Sequence, residues 1–340
     1  MVFAELGYLV HQRRSEGSSM PIPTARQRME DAANHGDSGA AYSLGVEYAT
    51  GVDGLKDPAK ATYWTQKAAE DGNADAAFDL GVDFSHGTGG FPIDGAKSAE
   101  WFKKAAAQYE KAALQGNAGA QQHLGFMYDE GAGIPKDATK AIEWYQKAAD
   151  QGDKAAQLGL GLLYAEGKGP TNNQANVAAW YQKAAKQGDS NAQLILARMY
   201  ANGTCIPEDD TKAAEWFQKA ADQGDIAAEF SLGDLYANGK GVVKNDATAS
   251  QWYRKSGEGY LRYAYQGHGF AQCKIASMYE AGEGFPKDDI QAYAWYKVAA
   301  ADNYPQSTET LDKVKQRLTS EQISEAEKRS GELAGKIPKE

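Results

Sequence analysis

All seven tryptophans of this chain fall at one position of a recurring unit, and that regularity decides what the chain can fold into. Glycines at 36, 72, 116, 152, 188, 224 and 267 each begin a unit. Trp64, Trp144, Trp180, Trp216, Trp252 and Trp295 lie 28 residues after their glycine, and Trp101 lies 29 after its own. Each unit reads approximately G-[DN]-x-x-A-x-x-x-L-G-x-x-Y-x-x-G, a loop, then [DN]-x-x-x-A-x-x-W-[YF]-x-K-A-A. A fixed period of this length means stacked supersecondary units, each burying its apolar face on its neighbours.

The residue types in the period specify two helices. Counting offsets from the glycine, +4, +8 and +12 carry Ala, Leu or Ile, and Tyr or Phe, as in Ala40, Leu44 and Tyr48. Steps of four share one helix face. Small residues at +4 and +9 let a neighbouring helix come close. Offset +1 is Asp or Asn in every unit except the last, where it is His268; these side chains are N-caps for the first helix. Asp57, Asp94, Asp137, Asn173, Asp209, Asn245 and Asp288 do the same for the second. The repeat glycine itself ends the preceding second helix in a left-handed turn.

Two units are longer, 44 and 43 residues against 36 elsewhere, and both gain seven residues after the Trp. Seven added residues are close to two turns, so the same face stays inward. The first insert copies a heptad, WFKKAA followed by QYEKAA; the second contains Gly257 and Gly259 and is expected to bulge or break the helix.

The resulting expectation is an all-α, α/α superhelix, a right-handed solenoid of seven helix-turn-helix repeats over residues 36–303 with helical caps. Residues 24–35 resemble a lone second helix with Arg28 at the Trp position, a polar cap. Residues 304–340 hold capping helices, the last over about 320–334, entered by a Thr319–Gln322 capping box. Residues 1–23 read as a poorly ordered extension.

The repeat pattern resembles the Sel1-like repeat family, relatives of the tetratricopeptide repeats, across about 36–303. The resemblance implies an adaptor or scaffold that binds a protein or peptide on the concave side, lined by the first helices. It also brings an alternative, a binder or hydrolase of β-lactam or cell-wall ligands, as in a cysteine-rich secreted branch; a further reading of the repeats themselves is a self-assembling array through end-to-end stacking. This chain has only Cys205 and Cys273, 68 residues apart, which argues against the cysteine-rich branch.

Chemistry is sparse. No pair among His11, His35, His86, His123 and His268 has ligand spacing, no nucleophile elbow or P-loop is present, and the G-x-G pieces recur at the repeat period as turns. We therefore expect no enzyme activity, cofactor or metal. A net charge of −10 disfavours nucleic acid and anionic membranes. No apolar run is long enough to span a bilayer, and the first ten residues lack the basic start of a signal peptide, so the expected location is cytoplasmic, with a monomer favoured.

If +4, +8, +11 and +12 face inward, then +3, +7, +10 and +14 face outward. The +7 column reads Ser43, Asp79, His123, Gly159, Ile195, Ser231, Lys274, and the +10 column Val46, Val82, Phe126, Leu162, Arg198, Asp234, Ser277. These columns vary while the packing columns repeat, as a reading surface requires. His123, Phe126, Leu162, Ile195 and Arg198 are the expected partner-binding residues; the competing expectation is that they pack between adjacent first helices.

Overall fold

A computed structural model describes residues 24–51, 56–168, 174–301, 304–305 and 307–338. Among these residues all regular structure is α-helical, in 17 helices. The expectations for residues 1–23 and for the Asn173 cap lie outside the described residues. The chain divides into two compact units, residues 1–151 and 152–340.

The first unit contains α1 (Ala25–Asn34), α2 (Ser38–Thr50), α3 (Pro58–Glu70), α4 (Ala74–His86), α5 (Gly95–Leu114), α6 (Ala118–Glu130) and α7 (Ala138–Asp150). The second contains α8 (Lys154–Ala165), α9 (Gln174–Lys186), α10 (Ser190–Asn202), α11 (Asp210–Asp222), α12 (Ile226–Asn238), α13 (Asp246–Ala264), α14 (Gly269–Ala281), α15 (Asp289–Ala301), α16 (Ser307–Lys315) and α17 (Ser320–Ala334). Within each unit each helix packs on the next in sequence as far as α16, and α17 packs back onto α15.

The helix ends follow from the sequence. Asn117 illustrates a double use: its backbone N–H bonds to Ala112 O at 3.2 Å while Gly116 N–H bonds to Ala113 O at 3.0 Å, which closes α5 through a positive-φ glycine. The Asn117 side chain then accepts from Ala120 N at 2.8 Å and opens α6. One residue therefore satisfies orphan groups of two helices. Asp37, Asn73, Asp153, Asp189 and Asp225 open their helices in the same way; His268 occupies the equivalent place without a side-chain bond. Thr319 and Gln322 cap α17 reciprocally.

The core is columnar. Leu44, Leu80, Leu124, Leu160, Leu196, Leu232 and Ile275, all at +8, are fully buried. In repeats two, three, four and six the residue after the Trp lays a ring on the glycine at +9. A Cβ built on Gly125 would lie 2.7 Å from Tyr145 Cδ1, and one on Gly233 would lie 2.5 Å from Tyr253 Cδ1. Trp64, Trp180, Trp216 and Trp295 are buried, whereas Trp101, Trp144 and Trp252 are partly buried against the same cores. Lysine ammonium groups sit 3.8–3.9 Å above the rings of Trp101, Trp144, Trp180 and Trp216.

The second insert does not break its helix: α13 runs unbroken through Gly257 and Gly259. A Cβ on Gly257 would lie 2.5 Å from Phe285 Cε2, and one on Gly259 would lie 2.7 Å from Ile226 Cγ1. These glycines are present for close packing, and the tertiary contacts they permit outweigh their low helix propensity. No described helix is long and apolar enough to cross a membrane.

Candidate functional site

The outward columns separate into one set of residues in each unit. In the first unit, α4 carries Asp75, Asp79 and Asp83 one turn apart. Tyr42 of α2 donates its hydroxyl to Asp79 Oδ2 at 2.9 Å, and Tyr109 of α5 donates to Asp75 Oδ1 at 2.6 Å. Burial, then the adjoining carboxylate, pushes both phenols well above the usual tyrosine range. Burial also raises the Asp79 carboxyl; the Tyr42 hydrogen bond opposes this, and the charges of Asp83 and Asp75 add to it.

His123 of α6 stacks on Tyr109 with ring centroids 4.7 Å apart, and its Nε2 lies 4.0 Å from Asp75 Oδ1. Phe126, one turn on, is 37% exposed and meets the edge of Phe78 at 5.9 Å; His123 lies 6.0 Å from the same ring. The structure thus brings His123 and Phe126 together around Phe78, with one face of Phe126 open to solvent.

Next to this strip is an open pocket of about 360 Å³, lined by Gly45, Val46, Ala49, Ala61, Thr65, Val82, Asp79 and Asp83 among others. Two departures from the repeat sit at this pocket. Six repeats follow their Trp with a ring, from Phe102 to Tyr296, but the first has Thr65. Offset +11 is buried Met127, Leu163, Met199, Leu235 or Met278 in the last five repeats, but Glu47 and Asp83 in the first two. Glu47 pairs with Arg26 at 3.2 Å, whereas the Asp83 carboxylate accepts the Thr88 hydroxyl at 2.5 Å.

In the second unit Leu162 is 45% exposed, Ile195 is half-buried against the core, and Arg198 is exposed. Arg198 lines a polar pocket of about 370 Å³ with Ser231, Asp234 and Asn238. Tyr253 donates to Asp234 Oδ1 at 2.7 Å. The Lys274 ammonium lies 3.3 Å above the Phe230 ring, and burial lowers its pKa.

Sequence reading missed a further polar column at +5: Gln121, Gln157, Gln193, Glu229 and Gln272 are all buried. Gln193 donates to Ala185 O at 3.1 Å, a carbonyl at the end of the preceding helix that also accepts the Gly188 N–H, and accepts from Gln223 Nε2 at 2.8 Å. Gln121 makes the same pair of bonds, to Ala113 O at 3.0 Å and from Gln151 at 2.7 Å. Glu229 cannot donate. There Lys255 leaves its tryptophan, now 5.1 Å away, and bonds both Glu229 Oε1 at 2.9 Å and Ala221 O at 3.4 Å. The recurrence of Gln at one offset was the available signal.

Comparison with known proteins places this geometry in a family. The Sel1 repeat model matches residues 38–73, 74–108, 118–153, 154–189, 190–225, 226–260 and 269–304. A Sel1 repeat protein from Oxalobacter formigenes is 33% identical, with a TM-score of 0.51, over 61% of this chain and 82% of its own. The c5321 protein, a protective antigen of uropathogenic Escherichia coli with an SLR fold, is 27% identical, with a TM-score of 0.43, over 98% of this chain and 85% of its own. The immunity protein Pa5087 of Pseudomonas aeruginosa is 20% identical, with a TM-score of 0.40, over 69% of this chain and 83% of its own. No curated protein matches the sequence.

Proposed function

The chain belongs to the Sel1 repeat family, and from that premise we propose that it is a non-catalytic scaffold whose outward first-helix columns hold a protein or peptide partner. One observation carries this reading. The +10 column presents large apolar side chains to solvent, Val46 at 43%, Phe126 at 37% and Leu162 at 45%, whereas the +8 column is buried throughout. Apolar side chains held outward by a rigid repeat, amid polar neighbours that change from unit to unit, supply area and specificity together. His123 and Phe126 contribute from the first unit; Leu162, Ile195 and Arg198 contribute from the second.

The test is affinity purification of the full chain and of Phe126→Asp/Ile195→Asp from the native cell, with partners quantified by mass spectrometry. The expected outcome is loss of the specific partners with an unchanged circular-dichroism melt. A variant that folds and retains every partner refutes the reading.

A further inference from the structure

We propose that the pocket at Thr65 in the first unit receives a lysine or arginine side chain of a protein partner. The inference rests on the scaffold reading and adds a chemical identity to what the partner presents there. It starts from a missing group. In repeats two, three, four and six a phenyl or phenol ring lies on the glycine at +9, whereas in the first repeat only Thr65 meets Gly45, with its Oγ1 2.6 Å from where a Cβ would stand, and the space beyond that short side chain is open beside Val46 and Ala49. The space, about 360 Å³, is more than twice the ~150 Å³ of an engineered cavity that admits benzene.

The walls of this pocket are apolar, but two carboxylates stand on its lining. Asp83 occupies the +11 place where five other repeats bury Met or Leu, and Asp79 lies one turn before it. Their hydrogen-bond partners are the hydroxyls of Thr88 and Tyr42, and no described lysine or arginine pairs with either within 4 Å. Lys56 is the one cation on the lining; it is exposed and unpaired with either carboxylate. An occupant with a long apolar stem and a cationic head fits both features, and lysine and arginine are the side chains built that way. A cation seated there would also offset the burial that raises the Asp79 carboxyl. The adjoining Val46, Val82 and Phe126 offer apolar contact to the residues flanking that side chain.

Two variants of the full chain separate the features. Thr65→Tyr supplies the ring that other repeats carry and fills the pocket. Asp79→Asn/Asp83→Asn removes the charge while keeping oxygens that accept from Tyr42 and Thr88. A random-peptide phage library is panned on the wild type, and the dominant peptide and its analogue with norleucine for the basic residue are measured by fluorescence anisotropy. We expect the recovered peptides to be enriched in Lys or Arg. Binding should weaken at least about tenfold with the norleucine analogue and with either variant, and should fall with added salt.

Peptides without basic enrichment, or bound equally by Thr65→Tyr, overturn the inference while leaving the scaffold reading to its own Phe126→Asp/Ile195→Asp test. Loss on Thr65→Tyr but not on the Asn pair means a neutral guest and also overturns it, as does recovery of no peptide. Thermal melts of both variants must match or exceed the wild type; if the Asn pair melts early, Thr65→Tyr with the norleucine analogue decides.

Discussion

Lys219 and Lys255 occupy the same place in consecutive repeats, three residues after Trp216 and Trp252, yet they should differ sharply when replaced by Met. Lys219 lies 3.9 Å over its indole, and among the described residues no hydrogen bond or ion pair ties its ammonium to a buried group. Losing that contact at an exposed site costs about 0.5–1 kcal/mol. Lys255 instead neutralises Glu229, whose side chain is 4% exposed, and donates to Ala221 O. Removing one partner of a buried pair costs about 3–5 kcal/mol; the Lys255 side chain is 52% exposed, so the low end, about 3 kcal/mol, applies. Guanidinium unfolding monitored by circular dichroism, with hydrogen exchange localising the loss to α12 and α13, reads the difference. Adding Glu229→Gln to Lys255→Met should recover most of it, because the amide can donate to Ala221 O as Gln193 does to Ala185 O. Equal losses for the two lysines, within about 0.5 kcal/mol, would refute the claim that Lys255 replaces a missing glutamine donor.

Two further outcomes follow from the loops and the thiols. Cys205 has φ +64 at the place where Gly89, Gly133, Gly241 and Gly284 have positive φ, so Cys205→Gly should stabilise by about 1 kcal/mol. Gly284→Ala, whose Cβ would meet Arg254 N at 2.5 Å, should destabilise by about 2 kcal/mol in thermal melts. Burial pushes the Cys273 thiol up to about 11, leaving roughly one thiolate in a thousand at about pH 8. Mass-spectrometric alkylation of the native chain should therefore label Cys205 at least about tenfold faster, with both labelled in denaturant.

The fold was legible because each constraint on it recurs. A capping Asp, a buried Leu and a small residue under a ring mean little once; at a constant offset they assign both helices and their faces. Gly257 and Gly259 were misread for the complementary reason. Propensity is local, but their role, admitting Phe285 and Ile226, depends on residues 28 and 33 positions away. The same distinction governs the site. Sequence columns identified Phe126 and Leu162 as outward, since facing is a helix property; whether Phe126 stays open depended on the neighbouring Phe78. The pocket was missed because reading for the consensus passes over its exceptions. Thr65 and Asp83 are unremarkable residues individually, and they gain meaning only against the six rings and five apolar side chains that hold those offsets elsewhere. In a repeat protein the consensus specifies the stack, so function should be sought where a packing column loses its side chain without losing the fold.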